Sequence, residues 1–493
     1  MKKNIIYYCV VLFLGLASCD KETISSEEVI TKFSFLKKNN PSLSSDIGMK
    51  IIGNKIKGSV PLDVSLDELI ATFEPTGLVV KIGNIVQESG QTSNSFKEVL
   101  TYTIIDKGGT KSVYEVDIVR FTGLPLIFIT TKNNEIIDSK NEYRKGNVEI
   151  IGSRGFENLD VKMKIRGRGN STWGIHPKKP YQMKLKEKVG ILGMPADKKW
   201  IFLAEYSDKT MVRNRTGFEF GYLSNLDWTP SSVFAEVIIN GKYNGTYHIT
   251  QKVEESDNRV KLGNNGYLLE IDQLHRLDPE DIYFETSKFL INIKEPKLKK
   301  NDAVYNYIKT YIADFEKVLY GNDFKDPNLG YAKYIDVGSF IDWYLINEIV
   351  KNQDAQSYSS IYLNMIPGEK LKMGPLWDFD LGFGNVDYSV AEKPDGFWIK
   401  YNPWIQRMFE DPSFTTKVKE RFAYYRSNEA HIMETIDAYA EKLDKSQYEN
   451  DKVWHTFGVY VWPNPIWFET YKEEVDHLKI WISTRMDWLE ANL

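Results

Sequence analysis

Cysteine and histidine are scarce in this sequence of 493 residues. It contains two cysteines, Cys9 and Cys19, and six histidines. Cys9 falls in an N-terminal apolar segment that we expect to be removed on export, which leaves one thiol in the mature chain and no partner for an intramolecular disulfide. A single thiol also excludes a cysteine-based zinc site, and no histidine pair shows the H-E-x-x-H spacing of zinc hydrolases.

The sequence also lacks the motifs of several other enzyme classes and a strong net charge. It has neither G-x-x-x-x-G-K-[ST] nor G-x-G-x-x-G, and no G-x-S-x-G nucleophile elbow. No spacing of its carboxylates singles out a glycosidase pair. The formal charge of −5, from 63 basic and 68 acidic residues, is too balanced for a general nucleic-acid binder, so we expect no nucleic-acid partner.

The N-terminus has the features of an export signal. Basic residues precede an apolar run over residues 5–16 that is too short to span a membrane as a stable helix. The run L-A-S-C ending at Cys19 resembles a bacterial lipoprotein signal; an ordinary secretory signal is the alternative, which the small residues before Cys19 disfavour. We therefore predict a signal over residues 1–19 and a polar tether over residues 20–28. The protein is expected to be extracytoplasmic, lipid-anchored through Cys19 at the outer membrane or cell surface.

Residues 29–121 have the pattern of a small β domain. Short apolar runs alternate with Asn, Gly, Pro and Ser breakers at regular intervals, which is typical of an immunoglobulin-like (Ig-like) β-sandwich. The stretch resembles the Ig-like modules that precede catalytic domains in surface lipoproteins of Gram-negative bacteria. It contains no cluster of His, Cys or acidic residues, so we predict a spacer or docking role by analogy of fold.

Residues 161–188 combine a strand pattern with strong positive charge. Apolar residues alternate with lysine and arginine up to Arg166, which predicts a strand with one charged face. Gly167 and Gly169 then permit a tight loop, and nine Lys or Arg residues fall between Lys162 and Lys188 against a single acid. Backbone donors and cations in such a loop suit phosphate oxygens. A solvated basic hairpin is the alternative, which composition alone favours.

Three acids stand around a predicted hairpin in residues 347–385. Asp354 precedes it, and Asp378 and Asp380 follow it in the run W-D-F-D. If the last two acids continue the second strand, their side chains project from one face and can hold Mg²⁺ or Mn²⁺ with Asp354 alongside. The order of base first and metal ligand second also matches protein-kinase active sites. A solvated turn with acids is the alternative interpretation.

A series of motifs gives these features a family resemblance. The chain is similar to the CotH (spore-coat protein H) kinase family, in order and over about residues 124–490. The motifs that carry the resemblance are RGRGNSTW (166–173), PKKPY (177–181), LGMPAD (192–197), SDKT (207–210), NGKYNGTY (240–247), LEID (269–272), IKEP (293–296) and WDFDLGFG (377–384).

The resemblance implies an atypical protein-kinase-like domain over residues 122–493. Such a domain binds ATP with Mg or Mn and transfers the γ-phosphate to Ser or Thr hydroxyls of an acceptor protein. By the resemblance, Asp354 is the catalytic acid that orients the acceptor hydroxyl, Asp378 the metal ligand and Asp380 a supporting ligand. Many kinases have an Asn five residues after the catalytic acid as a second metal ligand; Ser359 stands there, and a hydroxyl is a weaker cation ligand.

Further residues are assigned to nucleotide binding on the same ground. Arg166 and Arg168 are predicted to neutralise developing charge in the glycine loop that also carries Asn170. Lys179 and Lys184 are the two candidates for the lysine that pairs with phosphate. Glu270 is placed near the ribose, with a strand that ends in solvated acids as the open alternative.

The remaining predictions concern the scaffold and the function class. Glu219, on a helix predicted after Asp208, either pairs with the phosphate-binding lysine or is solvated. Helical periodicity from Asp302 onward predicts a helical C-terminal region, so the overall class is α+β. Because some fungal relatives are surface invasins, the alternative function is a surface adhesion or binding lipoprotein on a kinase-like scaffold without catalytic activity.

Overall fold

The computed structural model describes residues 30–43, 45–61, 64–75, 79–151 and 158–493. The predicted signal, lipidated Cys19 and tether lie outside these residues. The chain divides into two compact units at the Arg120–Phe121 bond. In the described part of the chain, no helix has the length and apolar character needed to cross a membrane.

The first unit is built of β-strands in two sheets. The first sheet has the order β2-β1-β5-β8 and the second the order β3-β4-β10-β9-β6-β7. Phe33 in the first sheet and Tyr102 in the second meet edge to face with ring centroids 5.4 Å apart, so the two sheets share one apolar core. The strands are β1 (Ile30–Phe35), β2 (Ile47–Gly48), β3 (Lys50–Ile52), β4 (Lys55–Pro61), β5 (Leu69–Pro75), β6 (Val79–Ile82), β7 (Ile85–Val86), β8 (Ser93–Asn94), β9 (Leu100–Ile105) and β10 (Lys111–Phe121).

The second unit opens with a closed seven-stranded barrel. Its order is β11-β12-β13-β14-β15-β17-β16, and the parallel pair β11–β16 closes it. Met163, Ile165 and Met183 point into the barrel core with Trp200, while Lys162 and its neighbours on the other face are exposed, as the alternation in the sequence predicts. The short helix α1 (Ser171–Ile175) lies between β13 and β14 along the chain, and α2 (Arg213–Tyr222) lies between β15 and β16. The strands are β11 (Leu126–Thr131), β12 (Arg144–Ile151), β13 (Leu159–Gly167), β14 (Tyr181–Val189), β15 (Asp197–Leu203), β16 (Ser232–Ile239) and β17 (Lys242–Gln251).

A five-stranded antiparallel sheet follows the barrel along the chain. Its order is β19-β20-β18-β21-β22, so β18 lies between β20 and β21. This register sets Glu270 on β18 directly opposite Tyr362 on β21. The strands are β18 (Tyr267–Asp272), β19 (Ile282–Glu285), β20 (Leu290–Glu295), β21 (Ile361–Met365) and β22 (Lys372–Met373).

Six helices complete the second unit around one large apolar core. They are α3 (Ala303–Leu319), α4 (Val337–Val350), α5 (Pro403–Met408), α6 (Pro412–Ser427), α7 (Glu429–Trp454) and α8 (Tyr471–Asn492). A fully buried ion pair, 2.5 Å from Arg485 Nη2 on α8 to Glu348 Oε1 on α4, ties two of them together. Glu348 also accepts the amide hydrogens of Trp398 and Lys400, which fixes the loop before α5. The chain is therefore of the predicted α+β class, with N-terminal sheets and C-terminal helices.

Candidate active site

Asp354 lies just beyond the C-terminal end of α4. The helix ends where Lys351 adopts a left-handed conformation, with φ of 50°, and its buried ammonium donates to the carbonyls of Val390, Lys393 and Asp395. These three bonds fix the segment that leads into a short 3₁₀ turn, which Asp354 begins. The position of the carboxylate is thus set by a buried cation and a helix end.

Asp378 and Asp380 do not continue the second hairpin strand, so that prediction is wrong. β22 ends at Met373, and Asp378 has φ of 67°, which breaks strand alternation. Contacts from other segments hold the turn. Ser360 Oγ donates to Asp378 Oδ2 over 3.1 Å, and Asn352 donates to the Asp378 carbonyl over 3.0 Å.

The helix α2 supports this turn from its other side. Asn214 accepts the amide hydrogen of Phe379 over 2.8 Å. Phe379 is completely buried, and a Cβ added at Gly217 would lie 2.2 Å from its ring. Only glycine permits so close an approach, so the sequence at Gly217 fixes the distance between α2 and the W-D-F-D turn.

The three predicted acids interact electrostatically. Burial and the negative charge of Asp378 raise the pKa of Asp354 to about 6, while the guanidinium of Arg276 lowers it. Burial, together with Asp378, Asp354 and Asp208, raises the pKa of Asp380 well above its ordinary value. The three carboxylates thus lie within electrostatic range of one another, in surroundings that disfavour further negative charge.

Arg168 is the predicted phosphate-binding residue that lies closest to this charge. Its guanidinium stacks over the Trp377 ring, 5.4 Å from the centroid. Burial lowers its pKa, and the opposing attraction comes first from Asp378, with Asp380 and Glu270 also contributing. The half-buried cation therefore faces the acids from the loop that follows β13.

The β18 acids contribute a second set of charges. Glu270 is buried and forms an ion pair of 3.2 Å with Lys294 on β20. Asp272 lies 3.1 Å from the Nε of Arg276, and burial followed by the charge of Glu270 raises its pKa to about 6. Glu270 therefore lies among the charged groups around Arg168, and its place near the ribose stays a prediction.

Sequence reasoning missed two cations and one acid of this cluster. Lys294 lies in the I-K-E-P motif, and no role was predicted for it. It stands two residues after Asn292, which is the residue opposite Glu270 on β20, and its ammonium lies 3.2 Å from the Glu270 carboxylate. Arg276 precedes the hairpin by many residues, so no local pattern pointed to it. Glu205, with φ of 48° after β15, is held by Asn214 at 3.1 Å and His248 at 3.0 Å.

Glu205 extends the buried acid cluster towards the barrel. Burial, Asp208 and Asp380 raise its pKa well above the ordinary value. Burial lowers the pKa of His248 to about 3, so the imidazole is neutral at pH 7 and does not compensate the carboxylate. Compensation of the negative charge of the cluster therefore comes from Arg168, Arg276 and other cations.

The other predicted phosphate-binding residues have different contacts. Lys179 Nζ donates to the Trp173 carbonyl over 2.6 Å, and Asn170 accepts from Lys140 over 3.1 Å. Arg166 lies over the Tyr143 ring, 4.9 Å from its centroid. Lys184 points outward from the barrel and is exposed. None of these contacts joins the three acids.

Both expectations for Glu219 are wrong. The side chain is 11% exposed and contacts Arg215 at 2.6 Å and His431 at 2.9 Å. It is thus neither solvated nor paired with Lys179 or Lys184. Arg215, four residues earlier on the same helix face, supplies the positive charge that the prediction had sought in a distant lysine.

Comparison with known proteins agrees with the motifs in the sequence. A family model described as CotH kinase protein matches residues 165–489. The chain belongs to the CotH kinase family. Membership suggests an atypical kinase that uses ATP.

Comparisons beyond the family model add no argument. A crystal structure from Bacteroides thetaiotaomicron, described as "a putative glycoside hydrolase", matches with 13% identity, over 53% of this chain and 82% of that chain. Its TM-score of 0.18 is too low to support a common fold or activity. A search of curated proteins finds no significant match.

The oxygen donors of this CotH family member suit a hard divalent cation. Among the described residues, no group of three or more His, Cys, Asp or Glu forms a ready-made metal cage. Mg²⁺ is commonly held by one or two carboxylates together with substrate phosphates, for which Asp378 and Asp380 are sufficient. Two further oxygens nearby, Ser359 Oγ and Asn352 Oδ1, are buried without a hydrogen-bond partner.

One cavity of the CotH unit lies away from these acids. It measures about 540 Å³ and is lined by Trp228, Arg259, Asn364 and Lys372 among others. None of the three clustered aspartates lines it. The candidate active site therefore rests on its charged side chains and not on cavity size.

Proposed function

We propose that this protein is an extracytoplasmic protein kinase that transfers the γ-phosphate of ATP to Ser or Thr hydroxyls with Mg²⁺ or Mn²⁺. The family match over residues 165–489 supports kinase chemistry. The observation that carries the proposal is that Asp354, Asp378 and Asp380 lie within electrostatic range of one another, with Arg168 stacked on Trp377 beside Asp378. Phosphoryl transfer depends mainly on positioning and on charge stabilisation, which such a cluster provides.

In this mechanism Asp354 accepts the proton of the acceptor hydroxyl. A carboxylate with a pKa of about 6 is a stronger base than an ordinary aspartate and is still mostly ionised at neutral pH. Its place just beyond a helix end anchored by Lys351 fixes the backbone from which the carboxylate extends. Asp354 thereby directs the hydroxyl oxygen towards the transferred phosphoryl group.

The other charged groups bind the nucleotide. Asp378 and Asp380 would hold the divalent cation, which supplies charge neutralisation to the phosphates when bound. Arg168 faces the same acids and presents guanidinium N–H groups that match phosphate oxygens. Lys294 and Arg276 add positive charge from the β18 side, where Glu270 and Asp272 hold them in place. The site thus offers carboxylates to the divalent cation and basic side chains to the phosphates.

The experiment is phosphate transfer from labelled ATP by the protein lacking residues 1–19, with Mg²⁺ or Mn²⁺ and hydroxyl-rich acceptor proteins. Asp354→Asn and Asp378→Asn should each lower incorporation by at least 100-fold. Asp323→Asn, at an exposed position away from the cluster, should leave it unchanged. A wild type that neither transfers phosphate nor gains thermal stability from ATP and metal would refute the proposal.

The N-terminal part of the proposal concerns placement of the enzyme. Lipid on Cys19 would hold the kinase at a membrane, with residues 20–28 as tether and the first β unit, proposed to be Ig-like, as spacer. Labelling cells with a tagged fatty acid should mark the wild type and not a Cys19→Ala variant. Incorporation that is equal in both would contradict the anchor without affecting the kinase assignment.

A further inference from the structure

One row of lysines crosses the outer face of the barrel. In the strand registers, Lys145 on β12 pairs with Lys164 on β13, Lys164 with Lys184 on β14, and Lys184 with Lys199 on β15. Lys252 follows directly after β17, next to Lys199. These five residues, one from each of five neighbouring strand positions, form what we call the lysine stripe.

Positive charge on the stripe is poorly compensated. Lys145, Lys164 and Lys184 are exposed, and in the described part of the chain no carboxylate oxygen lies within 4.0 Å of their ammonium groups. Lys199 and Lys252 share a single carboxylate, Glu254, at 2.6 and 3.6 Å. Like charges directly opposite each other destabilise a sheet. The lysine stripe therefore lowers the stability of the barrel, and packing of the barrel core does not require lysine at these outward-facing positions.

The stripe is continuous with the candidate active site. Burial and the charges of Lys199, Lys294 and Lys297 lower the pKa of Lys252 to about 8, so these lysines lie within electrostatic range of one another. Lys294 in turn pairs with Glu270 of the acid cluster. The positive surface therefore runs from the exposed strands of the barrel to the edge of the cluster.

Neighbouring lysines do not broaden the stripe into a wide basic face. Lys186 lies 4.0 Å from Glu187, and Lys188 lies 3.9 Å from Asp257. Lys162, two residues before Lys164 on the same outward face of β13, is exposed and adds one ammonium group beside the row. The uncompensated charge is thus concentrated along the row and at this one flanking position. A narrow, elongated group of ammonium ions fits an extended polyanionic segment better than it fits a flat membrane surface or a duplex.

We propose that the lysine stripe docks an acidic segment of the acceptor protein, which rests on the kinase function proposed above. Strands in a sheet are about 4.8 Å apart, so five positions span roughly 19 Å, the length of about six extended residues. Glu and Asp residues in such a segment would meet the ammonium groups while the adjoining Ser or Thr reaches Asp354. The substrate class is therefore proteins whose modified hydroxyl is flanked by about six mainly acidic residues. The mild negative charge of the whole chain disfavours nucleic acid as the partner.

The test measures binding without nucleotide. Fluorescence anisotropy would compare a labelled peptide with one Ser beside six Glu residues and the same peptide with Gln in place of Glu. The acidic peptide should bind the wild-type protein at least 10-fold more tightly than the Gln peptide. Its affinity should fall as salt rises from 50 to 300 mM, because exposed charges are screened.

Matched variants locate the binding surface. The triple variant Lys145→Gln, Lys164→Gln, Lys184→Gln should weaken binding of the acidic peptide at least 10-fold. A control triple variant removes the same charge from exposed lysines on α3 and α6 and should change the affinity less than 2-fold. The control positions are Lys309, Lys417 and Lys419. Unfolding temperatures of both variants would be measured alongside to show that each one folds.

Several outcomes would overturn the proposal. Equal loss in the two triple variants, or equal binding of the Glu and Gln peptides, would show that the lysine stripe is not the docking surface. Tighter binding to anionic phospholipid vesicles or to an oligonucleotide than to the peptide would assign the stripe to another partner. If the peptide binds through the stripe but no acceptor is phosphorylated, the kinase function fails and the binding surface stands. If neutral and acidic acceptors are phosphorylated equally well, docking fails and the kinase stands.

Discussion

Replacing Asp354 by Asn should make the protein more stable at pH 8 while it removes phosphate transfer. The carboxylate is ionised at that pH although its surroundings disfavour the charge. Its folded-state pKa is raised to about 6 by burial and by Asp378, against an ordinary value of 3.8. The neutral amide is nearly the same size, so the substitution removes the electrostatic cost without leaving a cavity.

The sign and size of the effect follow from the two pKa values. Between pH 3.8 and about 6 the folded state binds the proton that the unfolded state releases, so Asp354 reduces stability as the pH rises through that window. A difference of about two units in pKa corresponds to about 3 kcal/mol above pH 7, an upper bound because Asp354 is only partly buried and solvent screens part of the interaction. For a unit of about 370 residues, a gain of 1–3 kcal/mol raises the unfolding temperature by roughly 1–4 °C. At pH 4 the gain should vanish.

The assay is thermal unfolding of the wild type and the Asp354→Asn variant at pH 4, 5, 6, 7 and 8, without nucleotide or metal. Asp323→Asn, an exposed substitution of the same kind, serves as the control and should shift the unfolding temperature equally little at every pH. A variant that is less stable than the wild type at pH 8 would refute the reasoning. An increase of the same size at pH 4 and pH 8 would refute it too, because the gain would then not come from the charge.

Three other substitutions test contacts around the site. Arg168→Gln should weaken ATP binding about 10-fold in a titration, because the variant loses a cation that faces the phosphates. Gly217→Ala should lower the free energy of unfolding by about 1–3 kcal/mol, and should reduce phosphate transfer, because the added methyl group displaces the Phe379 ring. Unchanged stability and activity would show that α2 can shift to admit the methyl group. Arg485→Met should destabilise the second unit by about 3–5 kcal/mol, because Glu348 is left as an unpaired buried charge; a loss below 1 kcal/mol would mean that Glu348 takes up a proton at little cost.

Patterns within one strand were predictable from the sequence, and contacts between distant strands were not. The alternation around Met163 and Ile165 predicts the inward and outward faces of β13, because side chains alternate along any strand. The parallel pairing of β11 with β16 joins residues more than a hundred positions apart. No local period encodes such a pairing, so closure of the barrel could not be predicted from the sequence.

The same difference explains which site residues were predicted. Asp354 and Asp378 stand out because they flank a recognisable hairpin. Lys184 is suggested by its place in a basic hairpin next to a glycine loop, and strand alternation puts it on the exposed outer face of the barrel. Arg276 contacts Asp272, four residues before it, but acts on Asp354 only because β18 pairs with β21, and Lys294 reaches Glu270 only because β18 pairs with β20. The set of charged side chains that meet in the site depends on which strands are adjacent, and the spacing of residues along the sequence does not reveal strand order.

The excess of acid in the candidate site has a consequence for how ligands bind. The pKa of Asp354, of Asp380 and of Glu205 is raised, which means that each resists ionisation in the folded protein without ligand. A divalent cation relieves this repulsion, but the carboxylates of the cluster supply fewer oxygen ligands than the cation needs. ATP without a cation adds further negative charge to the cluster. Metal and nucleotide together supply both the cation and the phosphate oxygens that complete its coordination. Each should therefore raise the affinity for the other, with the same factor in both directions.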